Sequence, residues 1–163
     1  MKIILMGVSG CGKSSVGEAL SQAIALPYGD GDDLHPAQNI AKMARGEALD
    51  DDDRWPWLRL VGQALTAPGI VGCSALKRSY RTLIDQEAGG GVFFVHLAGS
   101  RAVVEARMAA RTGHFMPPAL LDSQFATLEA PGPDERAVAV DIDQPLADVV
   151  DEIVGKLRGM SGG

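Results

Sequence analysis

The 163-residue chain is poor in cysteine and aromatic residues and has no excess of positive charge. Two cysteines, Cys11 and Cys73, are too few for a disulfide framework or a metal knuckle, and they indicate reduced thiols. The net charge of −6 argues against a nucleic-acid partner, which usually meets a basic surface. No run approaches the roughly 20 apolar residues of a membrane span, and the first apolar run is too short for a signal peptide. These absences predict a cytoplasmic protein without a nucleic-acid or membrane partner.

Apolar runs alternate with helical patterns along the whole chain. The length and a hydrophobic content of 46% suit a single domain, residues 1–163, with one core. The alternation predicts an α/β fold in which helices cover both faces of a parallel sheet. Strands are expected at 2–6, around 27–29, and at 69–73, 91–97 and 136–141. Helices are expected at about 13–25, 36–45, 53–66, 77–88, 100–111, 117–128 and 145–158.

A glycine-rich segment directly follows the first apolar run. Residues 7–14 read GVSGCGKS and fit the phosphate-binding pattern GxxxxGK[ST] in full. A helix starting near Lys13 would present backbone N–H groups and a positive dipole end to an anion. Lys13 can reach the β- and γ-phosphates, and Ser14 can ligate Mg²⁺. The alternative is a glycine-rich turn with an incidental lysine. The residues expected to hold phosphate are Gly7, Gly10, Cys11, Gly12, Lys13 and Ser14.

Two carboxylates, Asp30 and Asp32, follow the second predicted strand. Ligands of such sheets bind beyond the carboxyl ends of the strands, so both carboxylates are expected beside the phosphate loop. Phosphoryl transfer to a hydroxyl needs a group that orients the nucleophile and support for Mg²⁺. We assign the first role to Asp32, either as a base or only as an orienting group, and the second to Asp30. An acidic surface turn is the alternative, and nearby His35 is expected to face the substrate.

Cations follow the third predicted strand. Lys77 and Arg81 lie one helical turn apart and can seat an anionic acceptor such as a carboxylate, or else form a solvated basic face. Arg54 directly follows the acidic run 50–53, whose carboxylates also suit a helix N-terminus. We expect Arg54 to act on the substrate. The tryptophans beside it are expected to pack in the core rather than stack on a sugar.

A lid is predicted at about 107–120. Arg107 and Arg111 lie one helical turn apart, and a glycine and two prolines follow them, so the segment could carry both arginines over a transferring phosphate and exclude water. Arginine suits the charge on the equatorial oxygens, which makes Arg111 a candidate catalytic residue with Lys13 and Asp32. The alternative is the ordinary preference of helix C-termini for cations. His114 either bonds the substrate or lies on the surface.

Several segments together resemble the small gluconate kinases (gluconokinases) of the P-loop kinase superfamily, and the resemblance runs nearly end to end. The phosphate loop alone is shared by many families, so the specificity comes from the segments DGDxxHP, DDDRxPWL and CSALKxxYR. They stand at residues 30–36, 51–58 and 73–81. Further matching segments are 39–49, 111–115, 123–129, 131–135 and 140–146.

The resemblance implies ATP-dependent phosphorylation of D-gluconate at its 6-hydroxyl, with Mg²⁺, by a homodimer. It implies a three-layer αβα kinase fold with a five-stranded parallel sheet in the order 2-3-1-4-5 and a mobile lid. It also implies roles by position. The gluconate pocket would be formed by Asp32, His35, Arg54, Lys77, Arg81 and Gln124, with His114 from the lid. The nucleotide would be held by the phosphate loop with Ser15, Arg107 and Arg111.

Two other functions compete with this one. A shikimate-kinase-like enzyme would also carry an Asp-x-Asp pair after its second strand, but the DGDxxHP and CSALKxxYR segments fit gluconate better. A non-catalytic nucleotide switch would be expected to carry an Asn-Lys-x-Asp segment that reads guanine, and none occurs.

Overall fold

The computed structural model describes residues 1–109 and 118–161, with the side chains of 118–120 and 161 left out. Within these ranges five parallel strands form one sheet in the order β2-β3-β1-β4-β5, as expected. The strands are β1 Lys2–Met6, β2 Tyr28–Asp30, β3 Gly69–Gly72, β4 Val92–Ala98 and β5 Ala137–Asp141.

Helices connect the strands in the predicted alternation. They are α1 Lys13–Ile24, α2 Ala37–Ala44, α3 Asp51–Gln63, α4 Arg78–Glu87, α5 Arg101–Ala109, α6 Pro118–Thr127 and α7 Leu146–Ser161. A short 3₁₀ helix, Gly31–Leu34, follows β2. The apolar pattern does not predict this turn, because it depends on a local polar bond in which the Asp32 N–H donates to Asp30 Oδ1 at 2.9 Å.

The core lies on both faces of the sheet. Ile3 and Leu5 of β1 pack on one side with residues of α1 and α7, and Ile4 and Met6 pack on the other side with residues of α3 and α4. All four β1 side chains are fully buried. Burying one such side chain stabilises the fold by about 1.5–3 kcal/mol relative to exposure. This two-sided packing fixes β1 at the centre, so the phosphate loop leaves the middle of the sheet.

Helix α3 begins two residues before its predicted start because its N-terminus carries a capping box. The Asp53 N–H donates to Asp50 Oδ1 at 2.8 Å, and the Asp50 N–H donates to Asp53 Oδ2 at 3.0 Å. These reciprocal bonds satisfy two N–H groups that a helix end otherwise leaves unpaired. Part of the acidic run therefore has a structural role, while Asp51 in the same turn remains available for other contacts.

No helix in the described ranges is both long and apolar enough to cross a membrane. The predicted lid, about 107–120, lies mostly outside the described residues, and helices α5 and α6 border it.

Candidate active site

The phosphate loop is a tight turn between β1 and α1. Gly10 and Gly12 have φ values of 84° and 94°, in the left-handed region that favours glycine. A Cβ on Gly10 would lie 2.5 Å from Met108 Cγ, so helix α5 leaves no space for a larger residue there. The Gly7 N–H donates to Ser74 O at 3.2 Å and ties the start of the loop to the turn after β3.

The Lys13 ammonium lies inside the curve of this loop. Its Nζ donates to Gly7 O at 2.9 Å and to Val8 O at 3.2 Å, and lies 3.7 Å from Cys11 Sγ. The first turn of α1 contains no acidic residue, so nothing opposes the positive end of the helix dipole. Ser14 and Ser15 stand in this turn. The arrangement is suited to an anion, and a phosphate is the anion that such a loop binds.

Carboxylates gather at the end of β2, next to the phosphate loop. Burial raises the pKa of Asp32, Asp30 raises it further, and Lys13 and His35 lower it. The pKa of the Tyr28 phenol is raised, mainly by burial, and it responds to Ser14, Asp30 and Asp32. Asp32 therefore lies within electrostatic range of Lys13, and the Tyr28 phenol lies near Ser14, Asp30 and Asp32, as the sequence led us to expect.

The buried thiol of Cys73, directly after β3, is influenced by the same charged groups. Burial raises the pKa of Cys73 to about 12, Lys13 lowers it, and Asp32 and Asp30 raise it. The Cys73 side chain is therefore protonated and unreactive at neutral pH. The strand order β2-β3-β1 places the end of β3, which Cys73 follows, between the acidic turn and the phosphate loop.

His35 continues the site away from the phosphate loop. Its ring stacks on Trp57 with centroids 4.1 Å apart, and its Nδ1 lies 3.3 Å from Asn39 Nδ2. Burial lowers the pKa of His35, Asp32 raises it, and Arg54 lowers it. Trp57 is buried and donates from Nε1 to Gly31 O at 2.8 Å, so it packs in the core, as expected, and orients the acidic turn.

Arg54 and Lys77 converge on one carboxylate, Asp51. Lys77 Nζ lies 3.3 Å from Asp51 Oδ2, and Arg54 Nη1 lies 3.5 Å from Asp51 Oδ1. The Tyr80 hydroxyl donates to Asp51 Oδ1 and accepts from Arg54 Nη1 at 3.1 Å. Both cations also lie within 6 Å of the Tyr80 ring centroid, at 5.8 and 5.4 Å. The two cations and one anion leave a net positive, partly exposed cluster that can receive a carboxylate.

The contacts of Arg81 differ from the role that the sequence predicts for it. The sequence pairs it with Lys77 as an anchor for an anionic acceptor, but its side chain is only 2% exposed. Its guanidinium donates to both carboxylate oxygens of Glu135, at 2.7 and 3.1 Å, and to Ala75 O at 2.8 Å. Helical spacing would put Lys77 and Arg81 on the same side of a helix. Lys77, however, precedes helix α4 as its N-cap, and its side chain contacts α3.

The remaining predicted residues fall into two groups. Arg107 lies against the phosphate loop, since a Cβ on Gly12 would be 3.7 Å from Arg107 Nη1, and it donates to Ile142 O. Gln124 of α6 pairs with Ser9: the Ser9 N–H donates to Gln124 Oε1 at 2.6 Å, and Gln124 Nε2 lies 3.0 Å from Ser9 Oγ. The other group, Arg111 and His114, lies outside the described residues, so their roles stay predictions.

Asp51 and Tyr80 join the cluster of Arg54 and Lys77, although the sequence pattern predicts no role for them. The acidic run conceals Asp51, because a run of four aspartates before a helix is explained by capping and by the helix dipole alone. Its partners Lys77 and Tyr80 are 26 and 29 residues away in the chain. The useful signal is that Asp50 and Asp53 complete the capping box between themselves, which leaves Asp51 for another role.

The charged groups near the phosphate loop influence one another in a series. Lys13 and His35 act on the pKa of Asp32, Arg54 acts on the pKa of His35, and Arg54 and Lys77 contact Asp51. Such a series offers a phosphate site at one end and cations for a second, anionic molecule at the other. This fold and this site are those of a P-loop kinase, and a shikimate kinase from Aquifex aeolicus has the same fold, with a TM-score of 0.65 at 18% identity over 100% of this chain and 99% of its own.

Comparison with known proteins narrows the class. The thermoresistant gluconokinase of Escherichia coli K12 is 47% identical over 154 residues, which are 90% of this chain and 87% of that protein. The crystal structure of a gluconokinase from Sinorhizobium meliloti 1021 superposes with a TM-score of 0.90 and 52% identity, covering 99% of this chain and 94% of its own. No family model matches the chain. The chain belongs to the gluconokinase family.

Proposed function

We propose that this kinase transfers the γ-phosphoryl group of ATP to the 6-hydroxyl of D-gluconate and releases 6-phosphogluconate and ADP. One observation carries the proposal: the series of charged groups from Lys13 to Lys77 joins a phosphate site to a cationic cluster. Gluconate has a hydroxyl at one end and a carboxylate at the other, so its two ends match the chemistry of the two ends of the series. The family to which the chain belongs supports the same acceptor.

The donor side binds and stabilises the phosphates. The N–H groups of the loop from Gly10 to Ser15 and the Lys13 ammonium surround the β- and γ-phosphates, and Arg107 approaches from α5. Arg111 would add positive charge on the equatorial oxygens. Because the transition state of phosphoryl transfer is loose, fixed positive charge around these oxygens lowers the barrier more than covalent assistance does.

The acceptor side orients the nucleophile. Asp32 accepts a hydrogen bond from the 6-hydroxyl and takes its proton as the oxygen attacks phosphorus. The new O–P bond forms while the bond between the γ-phosphorus and the bridging oxygen breaks, and the electron pair leaves on ADP. His35 and Gln124 bond the intervening hydroxyls, with His114 as a further predicted contact. Arg54 and Lys77 hold the carboxylate.

The residues present also suit Mg²⁺. Ser14 and Asp30 provide hard oxygen donors near the phosphate loop, and no group of three or more His, Cys, Asp or Glu in the described ranges forms a metal cage of its own. This donor set suits an ion that keeps most of its coordination for phosphate oxygens and water. When bound, Mg²⁺ neutralises charge on the phosphates. Ser14 would be its direct ligand and Asp30 would hold a coordinated water.

We also infer a homodimer acting in the cytoplasm. The resemblance to gluconokinases supports the dimer, and the two free cysteines suit a reducing compartment. Equilibrium sedimentation at micromolar concentration tests the dimer: a species of 17.1 kDa, the mass of one chain, would contradict it.

An acceptor panel tests the function. ATP consumption is measured by a coupled assay with gluconate, shikimate, other sugar acids or no acceptor. We expect turnover with gluconate to exceed turnover with every other acceptor by at least about tenfold, as the loss of matched polar contacts dictates. Turnover preferring shikimate would favour the alternative kinase, and no acceptor-dependent turnover would favour a nucleotide-binding module.

Replacing Lys77 by glutamine tests the carboxylate contact. We expect the KM for gluconate to rise by about 10–100-fold, because a charge-assisted hydrogen bond of about 1.5–3 kcal/mol is lost. The KM for ATP should stay within a factor of three. Arg78→Gln is the matched control, since Arg78 is the next residue but pairs with Asp134 instead. An equal effect of both substitutions on gluconate KM would remove Lys77 from the pocket.

A further inference from the structure

A segment without a role in the proposed chemistry is bound tightly to the turn after β3. Residues 129–135, which we call the strap, connect α6 to β5. The Glu129 N–H donates to Leu76 O at 2.7 Å, and the Arg78 N–H donates back to Glu129 Oε1 at 3.0 Å. At the other end of the strap, Glu135 pairs with Arg81 through both carboxylate oxygens.

The Glu135–Arg81 pair is the buried part of this attachment. The two side chains are 10% and 2% exposed. The Gly132 N–H also donates to Glu135 Oε2 at 2.9 Å, so the carboxylate accepts three bonds. These contacts hold the pKa of Glu135 below its usual range, with the Arg81 bond as the largest cause. A bidentate pair fixes the orientation of the guanidinium as well as its position.

Arg81 directs its third bond at a strained turn. Its Nη1 donates to Ala75 O at 2.8 Å. Ala75 is 1% exposed and has a φ of 46°, a left-handed conformation that alanine adopts only at a cost. Strained residues persist where their surroundings hold them. The bond from Arg81 acts directly on the Ala75 carbonyl and can provide such a restraint.

The turn that Ala75 shapes carries two parts of the active site. On one side, Ser74 O accepts the bond from the first glycine of the phosphate loop, Gly7, at 3.2 Å. On the other side, Lys77 leaves the turn as the N-cap of α4 and reaches Asp51. A change in the Ala75 backbone would therefore displace Lys77 relative to the phosphate loop.

We propose that Glu135 is a positioning residue for the acceptor site. It fixes Arg81, Arg81 holds the left-handed turn at Ala75, and the turn places Lys77 opposite the phosphate loop. This inference rests on the proposed function for its kinetic part, because Lys77 is assigned to the gluconate carboxylate there. It gives Arg81 an indirect role in place of the direct contact expected from the sequence.

The test compares Glu135→Gln with Asp134→Asn. Both substitutions neutralise a carboxylate of the strap, but Asp134 forms an exposed ion pair with Arg78 rather than the buried one. At a temperature at which thermal melts show every variant folded, we expect Glu135→Gln to raise the KM for gluconate about tenfold. Its KM for ATP should change by less than threefold, and Asp134→Asn should leave both within twofold. An unchanged gluconate KM in folded Glu135→Gln would overturn the proposal.

A second substitution separates positioning from general stability. Glycine adopts a left-handed turn without cost, so Ala75→Gly in the Glu135→Gln background should return the gluconate KM to within threefold of wild type while the Tm stays low. Failure of glycine to restore the KM would refute the route through Ala75. If Glu135→Gln does not fold, Arg81→Lys takes its place, since lysine keeps the charge but cannot bond Glu135 and Ala75 together.

Amide hydrogen exchange needs no substrate, so it tests whether Glu135 holds the turn at Ala75 independently of the proposed function. Amide hydrogen exchange of residues 75–78 should become at least about tenfold faster in Glu135→Gln and should stay near wild type in Asp134→Asn. If the wild type ignores gluconate in the acceptor panel, the proposed function fails, and the exchange rates still decide whether Glu135 holds the turn. Unchanged exchange would refute the attachment itself.

Discussion

Replacing Asp32 by asparagine is expected to lower kcat by about 10²–10⁴-fold, the usual contribution of a positioned general base. Asparagine has nearly the same shape but cannot accept the proton of the attacking hydroxyl. ATP binding should remain near that of the wild type, because the role proposed for Asp32 is on the acceptor hydroxyl. The measurements are steady-state kinetics with gluconate and calorimetric titration with an ATP analogue. A kcat within threefold of wild type would remove Asp32 from this role.

The pH dependence distinguishes a base from an orienting group. Burial and the neighbouring Asp30 raise the pKa of Asp32 above its ordinary value. The acid limb of kcat/KM should therefore fall as pH drops through this raised pKa, since protonated Asp32 cannot accept a proton. In Asp32→Asn that limb should disappear. If the limb persists in the variant, another group titrates and Asp32 only orients the hydroxyl.

Although Asp32→Asn is expected to lose activity, its thermal stability should not fall. A carboxyl whose folded pKa is raised contributes its full stabilisation below its unfolded pKa, and this contribution is lost as pH rises through the folded pKa. Above the folded pKa, Asp32 therefore opposes folding, and the effect is small because the side chain is exposed. The Tm of Asp32→Asn should equal or slightly exceed that of the wild type. Asp33→Asn, in the same 3₁₀ helix and exposed, is the matched control and should retain activity.

Replacing Lys13 by methionine should have an effect of similar size. The substitution removes the ammonium that bonds Gly7 O and Val8 O inside the loop, and with it the charge proposed to stabilise the transferring phosphate. Loss of one such preorganised donor typically costs about 10²–10³-fold in kcat. Lys13→Arg should not restore the rate, because a planar fork does not replace a point charge that bonds Gly7 O and Val8 O.

The control for Lys13 is Lys156, which lies near the other end of the sequence. Lys156→Met removes the same charge from α7, where the lysine bonds Ala139 O and Glu152, and it should leave kcat unchanged. Single-turnover kinetics at saturating ATP separate chemistry from nucleotide binding. A phosphoryl-transfer rate in Lys13→Met close to that of wild type would show that the lysine contributes only to binding.

Some parts of the site could be predicted because they are local in sequence. The phosphate loop needs only a strand, glycines and a helix start within eight consecutive positions, so the motif and its structure coincide. Asp30 and Asp32 could be placed beside it because all parallel strands end at the same edge of the sheet. Trp57 could be placed in the core because its apolar surface dominates its energetics.

Other parts could not be predicted, because they depend on pairs that only folding brings together. Helical spacing puts Lys77 and Arg81 on one face, but spacing does not reveal that Glu135, 54 residues later, takes the guanidinium. Likewise, nothing in the run of aspartates distinguishes Asp51, which meets Tyr80 and Lys77, from its capping neighbours.

The sequence by itself therefore determined the α/β fold, the phosphate site and the acidic turn beside it, since each follows from short-range patterns and from the geometry of parallel sheets. Only the tertiary structure decided which cations face an acceptor and which hold the protein together. The physical reason is burial: a charge removed from water must find a partner, and the partner of Arg81 is fixed by the packing of distant segments rather than by its neighbours in the chain.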